Sequence, residues 1–290
     1  MVGVGIVLDY TLGVVFLAAH TGTQPELTAC ALFPARTGLF WSGSNDSQGW
    51  GLGFVQGEEV LLQKTPRLDN KDLDIYGHAH NLRSDAIVAT AGCPPRSTAN
   101  DVDPYRFRFW LFGMAGEPAG FEAVRERLLQ SVPEFLRRNI RGTSASEHVF
   151  HLFLAFLHDG GLLDARSPDA GVVRHALRQS VVFLNRLLAP AGGPENPVSL
   201  VATNGRTLVA MNQGIPMHYL AIDGISECGC PACPERLNLG DATRRIRHSD
   251  LRSVVVSSAP SLSQPPGWSS VPTGQSLLVE MDRRPALVPG

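Results

Sequence analysis

The sequence predicts an α+β fold in which sheets and helices pack as layers within one domain. Three observations carry this. Residues 1–121 hold short runs rich in Val, Gly and aromatic residues, broken by turns. Residues 122–188 switch to helical periodicity, and strand-like runs return beyond residue 197. Strands, then helices, then strands is the order of a layered α+β domain. With 290 residues, 43% of them hydrophobic, the chain can fill one large core or at most two small ones.

The elements follow in order. The first nineteen residues are apolar, carry Asp9 and lack a basic start, so they read poorly as a signal peptide. They read instead as a buried strand over Val2–Leu8, a turn, and a second strand over Leu12–Ala19. Further strands are expected at Gly51–Val55, Val60–Gln63, Ala86–Ala91 and Arg106–Phe112. A helix is expected from about Glu122 to Asn139, with Val124, Leu128, Phe135 and Leu136 on one face and Pro133 as a kink or break. A second helix is expected from about Ser146 to His158. Its wide apolar face of Phe150, Phe153, Leu154 and Leu157 suits burial between layers. A third runs from Ser167-Pro168, a cap followed by a first-turn proline, to Leu188. Strands return at Ser199–Thr203 and Thr207–Met211 around the hairpin signal Asn204-Gly205. His218–Ile222, Ser253–Ser257 and Leu277–Met281 complete the set.

Composition excludes several function classes. A net charge of -2 gives no electrostatic case for nucleic acid or an anionic membrane. The one dense basic cluster, Arg244, Arg245, Arg247 and His248, reads as a solvated face. Five cysteines are an odd number, which argues against a disulfide framework and for a reducing, cytoplasmic setting. No uncharged apolar run approaches the ~18 residues of a membrane span.

Four segments, in order, carry a family resemblance. Asp46-Ser-Gln-Gly49-Trp50-Gly51-Leu52-Gly53 is similar to an Asp-Gly-Trp-Gly-type strand. Trp110-Leu-Phe-Gly-Met-Ala-Gly116, followed by Phe121, looks like a Trp-Leu-Phe-x-His-Asn-Gly strand and turn. Gly142-Thr-Ser-Ala-Ser-Glu147 resembles a Gly-Thr-x-Asp-Ser-Glu helix start. Val254-Val-Val-Ser-Ser-Ala-Pro260, with Trp268, Val271-Pro272 and Leu277-Leu-Val, resembles closing strands. Together they resemble the class II (N-terminal nucleophile) glutamine amidotransferase domain, in its small stand-alone form. The resemblance implies a four-layer αββα sandwich and a single domain over residues 1–290. The Cys-containing stretch at about 224–250 then becomes an insertion.

What the resemblance implies chemically is not met by this chain's side chains. The family's N-terminal Cys supplies a thiolate, with its own α-amine as base. This chain begins Met1-Val2-Gly3, and removal of Met1 would expose Val2. The family's Arg, which binds the glutamine carboxylate, maps to Gly92. The oxyanion Asn maps to Ala115, leaving the Gly116 N–H, and the Asp that receives the substrate ammonium maps to Ala145. Losing one oxyanion donor costs ~10²–10³ in rate, and losing a nucleophile in a triad enzyme costs ~10⁶. The vestigial pocket is therefore Val2, Gly92, Met114, Ala115, Gly116 and Ala145. It is expected to be less polar than an active site of this fold, with Met1 and Met114 available to fill it.

Cys228-Gly-Cys230-Pro-Ala-Cys233 places three soft ligands on a turn, and His248 is the nearest fourth. Free thiols are the alternative, so no cofactor is expected, with zinc here as the one candidate. His78-Ala-His80 reads as an exposed polar loop in preference to a metal pair at strand spacing, and Cys93 as a small core residue, with a displaced nucleophile as its alternative. Thr143, Ser144 and Ser146 read as N-cap residues. Gly49-Trp-Gly51-Leu-Gly53 lacks the Lys and the following helix of a phosphate loop. The reading is a catalytically inactive amidotransferase-like protein that binds a protein partner or small ligand. The alternatives are an amidase of the same fold with a relocated nucleophile and a metal-stabilised interaction protein.

Overall fold

A computed structural model describes residues 15–22, 24–34, 40–42, 49–66, 72–79, 81–93, 98–189, 196–233, 247–258, 267–281 and 284–289; at 15, 40–42, 72–75 and 93 it describes backbone alone. In chain order the elements are β1 (Val15–His20), α1 (Thr28–Leu32), β2 (Phe40–Ser42), β3 (Gly49–Gln56), β4 (Glu59–Thr65), β5 (Asp72–Asp74) and α2 (Ile75–Ala79). Then come β6 (Ala86–Cys93), β7 (Tyr105–Phe107), β8 (Trp110–Ala115), α3 (Phe121–Gln130), α4 (Glu134–Arg137), α5 (Ala145–Asp159) and α6 (Ala170–Leu188). The last part holds β9 (Val198–Thr203), β10 (Thr207–Gln213), β11 (Met217–Asp223), β12 (Arg252–Ser258), β13 (Ser269–Val271), β14 (Gln275–Glu280) and β15 (Ala286–Pro289).

Two antiparallel sheets dominate. A 7-stranded sheet has the order β13-β11-β12-β1-β6-β3-β4, and a 6-stranded sheet the order β15-β14-β10-β9-β8-β7. Strand alternation builds the layers. On β1, Phe16 and Ala18 face the space between the sheets, where they meet Val88, Leu111, Val201 and Val256. Their neighbours Leu17 and Ala19 point the other way, onto Trp50, Ile87, Leu32 and Ala79 beneath α1 and α2. On β8, Leu111 and Ala115 enter the inter-sheet core. Trp110, Phe112 and Met114 face α5 and α6. The result is helices, sheet, sheet, helices, the four-layer order expected.

Aromatic packing fixes α5 on its sheet. Trp110 meets Phe153 edge-on at 5.4 Å, and Phe112 stacks on Phe150 at 5.3 Å. Trp50, Trp110, Phe112, Phe150 and Phe153 are all buried. A helix buried on nearly every face from Ser146 to Leu157 suits a position between layers.

Several elements differ from expectation. The Arg106–Phe112 run is two strands. Phe107 pairs with Trp110 around a tight turn in which Arg108 has φ +52°. The helix from Glu122, in contrast, breaks at Pro133 as expected, and Pro133 stands just ahead of α4 as its N-cap. The third helix starts at Ala170 and not at Ser167-Pro168, because the Asp169 carboxylate accepts from the Gly171 and Val172 amides. The described part of the strand expected over Leu12–Ala19 is β1, Val15–His20. The strand over Val2–Leu8, together with His80, Arg244 and Arg245, lies outside the described residues.

The sheets approach over β3 because its glycines lack a side chain. A Cβ on Gly51 would come within 1.9 Å of the Asp103 carbonyl oxygen and 2.9 Å of Pro104 Cδ. Gly51→Ala is therefore expected to lose at least the roughly 1–3 kcal/mol typical of overpacking. Val172→Ala, at a position 43% exposed, should stay within about 0.5 kcal/mol of the parent. Urea unfolding of the two variants checks this.

Candidate functional site

A cavity of about 410 Å³ opens where β8 ends and α5 begins. The chain leaves β8 through Gly116, whose φ is +86°. A Cβ there would sit 2.5 Å from the Pro197 carbonyl oxygen, so only glycine fits. The helix side of the cavity is built by the segment 142–147. A Cβ on Gly142 would strike the Asp101 carboxylate at 2.5 Å. Asp101 accepts from the Thr143 amide, and the Ser144 hydroxyl caps α5 by accepting from the Glu147 amide at 3.2 Å. Glu147 turns back to accept from the Arg141 and Gly142 amides at 2.9 and 2.7 Å. Of the expected N-cap candidates, Ser144 is the cap.

Asp103 is the centre of the site. Its carboxylate accepts from the Met114 amide at 3.1 Å and from the Ser146 hydroxyl. Its main-chain carbonyl accepts from Thr90 Oγ1 at 2.6 Å. It is 1% exposed, and burial pushes its carboxyl up to about 6. The Ser146 and Met114 hydrogen bonds and the Lys64 charge pull the other way. Burial also raises Glu147 and lowers His148, and it lowers His151 to about 4. Asp101, in contrast, sits below the usual carboxylate range. Its burial acts upward and is outweighed by hydrogen bonds from Thr143 and Thr98.

Met114, Gly116 and Ala145 line the cavity. Ala115 faces the core between the sheets. Gly92 is buried at the end of β6 with φ +91°, next to Ala91, which pairs with Val15. Met1 and Val2 lie outside the described residues, and of Cys93 only the backbone is described. The cavity lining is mixed, with Met114, Pro118, Phe121 and Ala145 beside polar groups. Asp101, Asp103, Glu117 and Glu122 line it with Thr143, Ser144 and Ser146, and none of the described lining residues is Lys or Arg. Sequence reasoning missed Asp101 and Asp103, whose roles depend on which backbone amides reach them.

A second constellation lies in the outer layer beside α1. Cys30, Cys228, Cys233 and His248 place their ligand atoms within 4.8 Å of one another. Cys233 Sγ is 3.5 Å from His248 Nε2. Cys230, expected among the ligands, instead sets its sulfur 3.2 Å from the Tyr76 hydroxyl. Cys30, in α1, was not foreseen, since nothing in its local sequence marks it. His78 is exposed in α2, with its ring 4.8 Å from that of Trp50.

No family model matches the chain, and no curated protein matches it by sequence. Solved structures do. A glutamine aminotransferase class-II domain protein from Silicibacter pomeroyi superposes with a TM-score of 0.58 at 18% identity, over 95% of this chain and 98% of that one. A predicted glutamine amidotransferase from Pseudomonas aeruginosa gives 0.51 at 14% identity, over 93% and 94%. The glutamine phosphoribosylpyrophosphate amidotransferase from B. subtilis gives 0.52 at 11% identity, with 95% of this chain spanning 49% of that enzyme. The fold is the glutamine amidotransferase-like fold of class II, an α+β sandwich of the N-terminal nucleophile type. No helix among the described residues is long and apolar enough to cross a membrane.

The raised carboxyl of Asp103 makes stability depend on pH with a definite sign. Its folded pKa, about 6, exceeds the ~3.9 of an unfolded Asp, so the folded chain binds the proton more tightly. That contribution is fully present below about pH 4 and is lost as pH rises through 6, a change on the order of 2–3 kcal/mol. Asp103→Asn should keep an acceptor for the Met114 amide and flatten this slope. Comparing urea midpoints of the parent and the variant from pH 4 to 7 checks it.

Proposed function

We propose that this protein is a catalytically inactive glutamine amidotransferase-like protein that acts by binding. The observation that carries the reading is the division of labour among the residues that resemble the family. Gly51, Gly116, Gly142, Ser144, Ser146 and Glu147 each hold backbone or packing in place. The positions left to chemistry are Gly92, Ala115 and Ala145, which have no polar side-chain atom. Val15, the first described residue of β1, offers no nucleophile either, and no cysteine precedes Cys30 in the sequence.

Charge points to the ligand class. Glutamine needs a cation for its α-carboxylate, whereas the described walls of the cavity supply carboxylates and hydroxyls. A small cationic amine matches that lining better than an amino acid does, because each charge-assisted hydrogen bond to a carboxylate contributes about 1.5–3 kcal/mol. An open cavity of about 410 Å³ has room for one such molecule.

One observation favours a second reading, an amidase with a relocated nucleophile. Ser146 donates its hydroxyl proton to Asp103 on the wall of the cavity, and Asp103 titrates near 6. As a nucleophile and base, the pair would resemble a serine hydrolase without its imidazole. The inactive reading treats the same bond as the tie between α5 and the β8 edge.

Incubated with L-glutamine, the purified protein is expected to release ammonia at the rate of buffer alone, as followed by a coupled glutamate dehydrogenase assay. Release above buffer that disappears in Ser146→Ala would replace the inactive reading with the relocated-nucleophile one.

A further inference from the structure

We propose that Cys30, Cys228, Cys233 and His248 form a tetrahedral zinc site that fastens the connection between β11 and β12 to α1. This site is independent of the cavity at the start of α5 and rests on different residues. Its four ligand atoms come from three separate parts of the chain and lie within 4.8 Å of one another. Zinc bonds of ~2.0–2.3 Å at tetrahedral angles separate ligand atoms by roughly 3.3–3.8 Å. The 3.5 Å between Cys233 Sγ and His248 Nε2 falls in that range. A single ion fits this spread, whereas an iron–sulfur cluster would hold its cysteines farther apart. Three thiolates with one imidazole are soft donors that select zinc over calcium or magnesium.

The surroundings suit a structural site. Cys30 and Cys233 are buried among Leu27, Ala31, Ile225 and Leu251, and Cys228 is half-buried, which leaves one edge for metal entry. The backbone holds the ligands in place. The His248 carbonyl accepts from the Ile225 amide at 2.9 Å, and the Cys230 carbonyl accepts from the Cys233 amide at 3.3 Å. Gly229 lets the Cys228–Cys230 turn pass the Phe33 ring, since a Cβ there would lie 2.9 Å from Phe33 Cε1. Zinc binding releases three thiol protons to solvent as three zinc–sulfur bonds form. Cys230 stays outside the ligand set, its sulfur against the Tyr76 hydroxyl of α2.

The test uses the full chain, expressed with added zinc and purified under reductant without chelator. Elemental analysis should find about one zinc per chain, and X-ray absorption should fit three sulfurs at ~2.3 Å and one nitrogen at ~2.0–2.1 Å. Cys30→Ser should lower the zinc content roughly tenfold or more, while Cys230→Ser retains it. Should Cys30→Ser fail to fold, the absorption fit of the parent and the zinc content of Cys230→Ser decide. The proposal is overturned by less than about a tenth of a zinc per chain, by iron in its place, by a fit without three sulfurs, or by Cys230→Ser losing the metal.

Discussion

The arrangement of the layers depends on one buried residue. Asp103 joins three of them at once. Its carbonyl takes the Thr90 hydroxyl from the 7-stranded sheet, and its carboxylate takes the Met114 amide from the 6-stranded sheet and the Ser146 hydroxyl from α5. These bonds form in a dry environment, where a satisfied polar network is rigid and an unsatisfied one is costly. The Asp103-Pro104 segment reaches that position because Gly51 and Gly53 leave space beneath it. Leu111 comes down on Gly53 from the opposite sheet, so the same two glycines also set how closely the sheets approach.

This constraint explains which parts of the amidotransferase pattern the chain keeps. The Gly-Trp-Gly strand, the Gly after β8 and the Gly-Thr-x-x-Ser-Glu helix start serve the Asp103 junction or the backbone beside it. A side chain at Gly51, Gly53, Gly116 or Gly142 would clash, and losing the Ser146 hydroxyl would remove a buried bond to Asp103; either costs kilocalories. Gly92, at φ +91°, and Ala115, in the inter-sheet core, are also set by backbone and packing, and Ala145 lines the cavity. The carboxylates now lining the cavity, Asp101 and Asp103 above all, are there for structural reasons and still set its charge.

Much of the architecture was legible in the sequence because it follows local rules. The apolar spacing of Phe150, Phe153, Leu154 and Leu157 gave α5, Pro133 divided the helices at its own position, and the Asn204-Gly205 pair marked a hairpin that the Asn204 side chain completes by accepting from the Arg206 and Thr207 amides. Other features depend on contacts that sequence spacing does not encode. The turn at Arg108-Phe109 has no Gly or Asn to betray it within a continuous run of strand formers. Asp169 outcompetes Ser167 as a cap because its carboxylate reaches two amides. Cys30 joins Cys228 and Cys233 only once β1 and β12 pair, with Ala18 against Val256, and bring α1 beside the β11–β12 connection. The order of the segments therefore revealed the fold, and the composition of the sites came from pairings across the whole chain.

The central claim is that the cavity at the start of α5 no longer recognises glutamine and instead favours a cation. The most direct measurement is a nuclear magnetic resonance titration of the ¹⁵N-labelled chain, read at the amides of Gly116, Thr143 and Ala145. A small diamine should shift these amides in a saturable way, while L-glutamine at the same concentration leaves them in place. Saturable shifts of those amides by L-glutamine, with the diamine inert, would contradict the account.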